Sequence, residues 1–219
     1  MDGVHSARLS RRRGAPPAGQ RLTRDTVIIQ ATQLIARDGL AAFSLRGLAD
    51  ALGVSPNALY NHVSNREDLL DAVTDRFVAS IRLPVGQQPW PDWVHAVAAG
   101  LRSQLIEHPG LTELMLTRAA STATGPKMLS RFLDRLVSAG LDRAVAHVAW
   151  HAVLTVVVGS VLQEQARNAD REPTFEAVLE VTMTGLIAAA RQHPSPRAIT
   201  LLNRHLPAHD RDTTTDRPR

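Results

Sequence analysis

Between Ser55 and Val63 the chain reads Ser-Pro-Asn-Ala-Leu-Tyr-Asn-His-Val, a run in which hydrogen-bonding side chains outnumber the residues able to bury it. Leu59 and Val63 lie four apart and can share the inner side of a helix, leaving Pro56, Asn57, Ala58, Tyr60, Asn61 and His62 outside. These outer types fit the edges of a nucleic-acid duplex. An Asn amide pairs with adenine, Ala or Pro touches a thymine methyl, and Tyr and His donate to phosphates, on a helix whose width suits the major groove. An ordinary helical hairpin, the bland alternative, leaves Tyr60 and His62 without a role.

The flanking residues must hold that surface in place. Leu45, Leu48, Ala49 and Leu52 follow the i, i+3, i+4, i+7 spacing of one buried helical stripe, and Ser44 stands where its hydroxyl can cap the first turn. Gly53 can take the positive φ that ends this helix, and Val54 plugs the corner. Ser55-Pro56 supplies an N-cap and a proline at the first helical position, so the second helix is predicted to start at Ser55 and run to Val63. A preceding helix over about 24–38 has Thr23 as N-cap, Gly39 as stop and Val27, Ile28, Ala31, Leu34 and Ile35 as its inner stripe. A fourth begins after Asn65, with Asp68 as reciprocal cap and Leu69, Leu70, Val73, Phe77 and Ile81 on one face, and stops before Pro84.

These residues resemble the tetracycline-repressor (TetR) family of bacterial transcription regulators. The family's signature, Gly-Val/Met-(Ser/Thr)-x-x-x-Leu-Tyr-x-His-(Phe/Val), reads here Gly53-Val54-Ser55-Pro56-Asn57-Ala58-Leu59-Tyr60-Asn61-His62-Val63. The match extends back to Asp38-Gly39 and forward through Asn65-Arg66-Glu67-Asp68-Leu69-Leu70, about 50 residues in all. The resemblance implies an all-α protein, with an N-terminal helix-turn-helix three-helix domain and a larger helical ligand-binding and dimerisation domain. It also implies a repressor that binds a palindromic double-stranded operator as a homodimer and is released by a small hydrophobic effector. Carried over position by position, it makes Ser44, Arg46, Ser55, Pro56, Asn57, Ala58, Tyr60, Asn61, His62 and Arg66 the DNA-binding set. Arg46 is a base or phosphate contact, and Tyr60, His62 and Arg66 are phosphate contacts. A solvated arginine is the other reading of Arg46, and packing at the domain junction the other reading of His62. Gly47 departs from the long polar residue often found there.

Charge is distributed unevenly. Residues 1–24 carry six arginines against Asp2, a net +5, whereas the whole chain carries +4. With Gly14, Pro16, Pro17 and Gly19 in it, the arm over residues 1–22 cannot be helical throughout. It reads either as a phosphate- or minor-groove-binding arm or as a solubilising tail. The chain has no cysteine, which excludes disulfides, zinc–thiolate sites and thiol nucleophiles, and the expected compartment is the cytoplasm. The longest apolar run, over 153–162, is half of what a membrane span needs, so no membrane association is expected.

The domains expected are the arm over 1–22, the helix-turn-helix domain over 23–70, the helical domain over 71–193 and a tail over 194–219 holding at most one weak turn near 199–206. The larger half is predicted to place helices over about 92–107, 110–118, 126–139, 142–168 and 174–192, with Gly or Pro at nearly every junction. Trp90-x-x-Trp93, His108-Pro-Gly and the run from Gly159 to Gln165 resemble the ligand-binding half of the tetracycline-repressor-like branch. The last two helices are apolar around much of their girth. Packed against a second copy they form a four-helix bundle, the dimer interface usual in this family, unless both are covered within one subunit.

An effector pocket among these helices has Trp93, His108, Met115, Met128, His147, Trp150 and His151 as candidate contacts, each large or polar on an otherwise apolar helix; a plain core position is the alternative for each. The polar residues that hold a metal–tetracycline complex in the founding repressor have no counterparts here, which argues against tetracycline as effector. His147 and His151 are spaced i, i+4, as two metal-binding imidazoles are, but no HExxH or acidic third ligand accompanies them. No GxSxG elbow, P-loop or GxGxxG is present, so neither a cofactor nor enzymatic turnover is expected. Two rivals remain: an effector-independent DNA-binding protein, and a helical metal-dependent enzyme using His147 and His151.

Overall fold

The computed structural model describes residues 22–167, 172–192 and 200. The basic arm and the C-terminal tail therefore lie outside the described residues, apart from Leu22 and Thr200. The chain is all-α, with no strand among the described residues. Its helices are α1 (Arg24–Asp38), α2 (Leu45–Leu52), α3 (Pro56–Leu59), α4 (Arg66–Ser80), α5 (Trp90–Glu107), α6 (Thr112–Arg118), α7 (Gly125–Ser138), α8 (Arg143–Arg167) and α9 (Glu172–Gln192). Two 3-10 turns, Pro109–Leu111 and Ala119–Ser121, frame α6. The first takes Gly110 and Leu111 from what periodicity predicts as one helix over 110–118, so that α6 starts at Thr112.

Local chemistry starts and stops the first helices largely as their residues dictate. The Thr23 hydroxyl accepts the Thr26 N–H while the Thr26 hydroxyl accepts the Thr23 N–H, a reciprocal cap that opens α1. Ser44 Oγ accepts the Gly47 N–H at 3.1 Å to open α2, and Gly53, at φ 68° and ψ 26°, closes it in the left-handed conformation. α4 opens on Asn65, whose side-chain oxygen accepts the Asp68 N–H at 2.8 Å. Asp68 does not cap Asn65 in return, as its position predicts. Its carboxylate accepts the Ser64 N–H, one residue earlier, and pairs with Arg24.

A single apolar core runs through both halves. Val27, Ala31 and Ile35 of α1 meet Leu48 and Ala49 of α2, Leu59 of α3, and Leu69, Leu70 and Val73 of α4, all buried. Farther along α4, Phe77 and Val78 belong to the same core as Trp93, Leu105, Phe132 and Val153 of the larger half. α4 is thus shared between the two halves. At the junction the 3-10 turn after α5 packs on the end of α1. A Cβ added at Gly110 there would stand 1.8 Å from the Ile35 carbonyl oxygen and 3.1 Å from Gly39 Cα. Only glycine permits that approach.

α8 corrects the reading of its apolar run. The stretch Arg143–Ala166 has the length to cross a bilayer, and an 18-residue window within it has a mean hydropathy of 1.8. In this fold it is the central helix of the larger half, packed against α5, α7 and α9.

Glycine substitutions of opposite sign test the junction. Gly110→Ala drives a Cβ into backbone and should destabilise the fold by about 1–3 kcal/mol. Gly100→Ala, inside α5 with open space around it, should be neutral or stabilise by up to about 1 kcal/mol. Urea unfolding followed by circular dichroism measures both.

Candidate nucleic-acid interface

The second helix of the turn motif is shorter than its residues predict. Regular α-helix ends at Leu59, and residues 60–62 form a turn in which the Leu59 carbonyl accepts both the His62 N–H at 2.8 Å and the Val63 N–H at 3.0 Å. Two causes converge. Tyr60, Asn61 and His62 are all middling or poor helix formers, and the His62 carbonyl, which a continuing helix would offer to the Arg66 N–H, accepts the Arg24 guanidinium at 2.7 Å. Ser55 occupies the N-cap position, but its hydroxyl makes no capping bond.

Burial still divides the segment as its chemistry requires. Leu59 and Val63 are 1% and 2% exposed, anchored on the three-helix core. Ser55, Pro56, Asn57 and Asn61 are exposed, Tyr60 is 55% exposed, and Ala58 and His62 are half-buried. On α2, Arg46 is exposed, while Ser44 is exposed with its hydroxyl engaged in the cap. A side chain at Gly47 would crowd that hydroxyl, since an added Cβ would lie 3.2 Å from Ser44 Oγ. Arg66, half-exposed, holds its guanidinium 5.9 Å from the Phe43 ring centroid and 3.6 Å from Glu67.

Sequence reasoning missed the network behind this surface. The Arg24 guanidinium forks onto both Asp68 oxygens, at 2.7 and 3.2 Å. With the Ser64 N–H as second donor, it pulls the Asp68 carboxyl from its ordinary 3.8 down to about 2. A carboxylate depressed in this way stabilises the fold above its unfolded value, and the contribution disappears as pH falls toward 2. A pairing across 44 residues leaves no local pattern to read.

The residues expected around an effector differ in burial and surroundings. Trp93 is buried, donates from its indole to the Pro84 carbonyl at 2.8 Å and packs 5.3 Å from Phe132, which in turn lies 5.1 Å from Trp150. Met115, Met128 and His147 are buried, His151 is exposed, and His108 is exposed with its ring edge against Phe77. Among the described residues no cluster of three His, Asp or Glu side chains forms around His147 and His151. Outside the expected set, the half-buried Gln104 on α5 has its Oε1 atom buried without a hydrogen-bond partner. A cleft of about 250 Å³ lies at the far end of the larger half, between Trp90, Leu141, Ile187 and Arg191, away from the expected contacts.

The exposed set makes a testable distinction between base and backbone contacts. Asn57→Ala or Arg46→Ala should relax base preference at particular positions by about 1–3 kcal/mol each. Sequencing of duplexes selected from a random pool reads the outcome, and uniform weakening across all sequences would reassign the residue to the phosphates.

Residues 28–73 match the profile of bacterial regulatory proteins of the tetR family, and residues 83–204 match the tetracyclin repressor-like C-terminal domain. An HTH-type transcriptional regulator of Saccharopolyspora erythraea is 38% identical over 164 residues, covering 73% of this chain and 68% of that protein. The Streptomyces coelicolor TetR family protein ActR, solved in complex with actinorhodin, superposes with a TM-score of 0.71 at 25% identity over 78% of this chain and 99% of its own. BioQ, solved with its double-stranded DNA operator, gives a TM-score of 0.66 at 28% identity over 77% of this chain and 99% of its own. The first profile ends within α4, which the two halves share, and the second begins just past its end. The chain belongs to the TetR family of helix-turn-helix transcriptional regulators.

Proposed function

We propose that this protein is a cytoplasmic repressor that binds a palindromic operator as a homodimer and releases it when a small hydrophobic effector enters the larger helical half. The observation that carries the reading is the sided burial of residues 55–63: two apolar anchors face the core, and a polar surface including Tyr60 faces solvent. In this reading Asn57, Ala58 and Arg46 meet base edges, and Tyr60, Asn61, His62 and Arg66 meet phosphates. Regulation of transcription, rather than catalysis, is the activity.

Dimerisation is supported by what α8 and α9 leave uncovered. On α9, Thr174, Val178, Val181, Gly185 and Ala188 form an exposed stripe of small or apolar residues, with Val181 75% exposed. On α8, His151, Thr155, Leu162 and Ala166 recur on a helical spacing and are also exposed. A second copy of the same pair of helices covers both stripes in a four-helix bundle and sets the two reading heads a helical repeat or more apart. His151 belongs to this surface rather than to an effector pocket.

Effector response needs a path from the larger half to α3, and α4 provides it. Arg118, at the end of α6, donates to Asp71 at 2.7 Å and also to Glu67, and the Thr124 N–H donates to Asp75 at 2.7 Å. Glu67, Asp71 and Asp75 lie one turn apart along α4. Movement of α6 therefore pulls on α4 and changes the spacing of the paired reading heads. The ActR complex with actinorhodin supports a ligand of this general kind.

Two measurements test the reading. A duplex selected from a random pool should bind the full chain as a dimer, and compounds that raise its Tm should also release that duplex. Stabilising compounds that leave duplex affinity unchanged would favour the effector-independent alternative. Removing residues 1–22 should lower the slope of log affinity against log salt by about one unit for each phosphate that the arm neutralises, with the preferred sequence retained. An unchanged slope would make the arm a solubilising tail.

A further inference from the structure

Arg24 is one of the six arginines behind the positive charge of residues 1–24, a charge that the phosphates of a duplex would attract. Its guanidinium is turned elsewhere. It donates to the His62 carbonyl at 2.7 Å and to both Asp68 oxygens, while Asp68 accepts the Ser64 N–H at 2.8 Å. Three pieces of chain meet there: the start of α1, the end of the 60–62 turn and the start of α4. Within the turn the backbone supplies only the bonds to the Leu59 carbonyl, so its outer end, the His62 carbonyl, depends on a side chain from elsewhere. Charge-assisted, forked hydrogen bonds are the kind that hold a geometry as well as contribute energy.

We infer that Arg24 and Asp68 form a positioning clamp that sets the Tyr60–His62 turn in the shape that reads DNA, so that Arg24 governs operator affinity without touching the duplex. The inference rests on the reading that this turn faces DNA. Arg24 acts on His62 through its carbonyl and on Ser64 through Asp68, and its own charge is neutralised in place. Lysine cannot substitute, because a single ammonium does not span both carboxylate oxygens and the carbonyl as a planar fork does.

The test compares the full-length wild type with Arg24→Ala, Arg24→Lys, Asp68→Asn, the double variant R24A/D68N and Tyr60→Ala on a selected operator duplex across a salt series. Circular dichroism checks that each variant is folded. Arg24→Ala and Asp68→Asn should each weaken binding about tenfold, the double variant should be no worse than the worse single variant, and Arg24→Lys should recover little. The slope of log affinity against log salt should stay at its wild-type value. A slope lowered by about one unit in Arg24→Ala, with Asp68→Asn binding normally, would make Arg24 a phosphate contact and overturn the clamp. A lower Tm with wild-type affinity in both would reduce the pair to a structural role and overturn it equally. Weakening in Tyr60→Ala alone defeats the clamp but not the DNA-facing turn; no weakening in Tyr60→Ala or the clamp variants defeats both.

Discussion

A four-residue helix cannot hold itself together in water. Nucleating a helical turn fixes several backbone dihedrals for a single hydrogen bond, so α3 keeps its shape only through what surrounds it. Leu59 and Val63 supply the apolar part, buried among α1, α2 and α4. Ser55-Pro56 fixes the entry and the Leu59 carbonyl gathers the exit. The outward set from Asn57 to His62 is thereby free to be polar without destabilising anything.

The second constraint is that α4 belongs to both halves at once. Its first half closes the three-helix core through Leu69, Leu70 and Val73, and its second half enters the larger core through Phe77 and Val78. Its polar side is held by Arg118 and by the N–H of Thr124. Close backbone contact at Gly110 joins α1 to the same junction. One continuous core with a polar seam beside it thus joins the helix-turn-helix part to the larger half. In the mechanism proposed above, a ligand that favours one arrangement of α6 biases the other end of the molecule by as much as its affinities for the two arrangements differ.

Much of this was legible in residue order, for physical reasons that differ from one element to the next. Caps and stops are local: Thr23, Ser44, Gly53 and Asn65 act on residues within a few positions, and each does what its chemistry allows. Long amphipathic stripes, such as Val27, Ala31 and Ile35, are also local, and α1 runs over the predicted span. The end of α3 was legible only in part: the weak helix propensity of Tyr60, Asn61 and His62 is local, but the Arg24 bond to the His62 carbonyl spans 38 residues. The candidate effector residues are large or polar on apolar helices, a property that a buried packing residue has as well as a ligand contact does. Trp93 shows the ambiguity: its indole is engaged with the Pro84 carbonyl and with Phe132. Gln104 escaped notice because an unpaired buried oxygen is a property of packing rather than of composition.

Tyr60 offers the most direct test, since it is the chain's only tyrosine and is 55% exposed. Iodination of the free protein should label it readily. A bound operator duplex should protect it strongly, whereas an unrelated duplex at the same salt should not. Equal labelling with and without the bound operator would contradict the account at its centre, because the turn that carries Tyr60 would then lie outside the DNA interface.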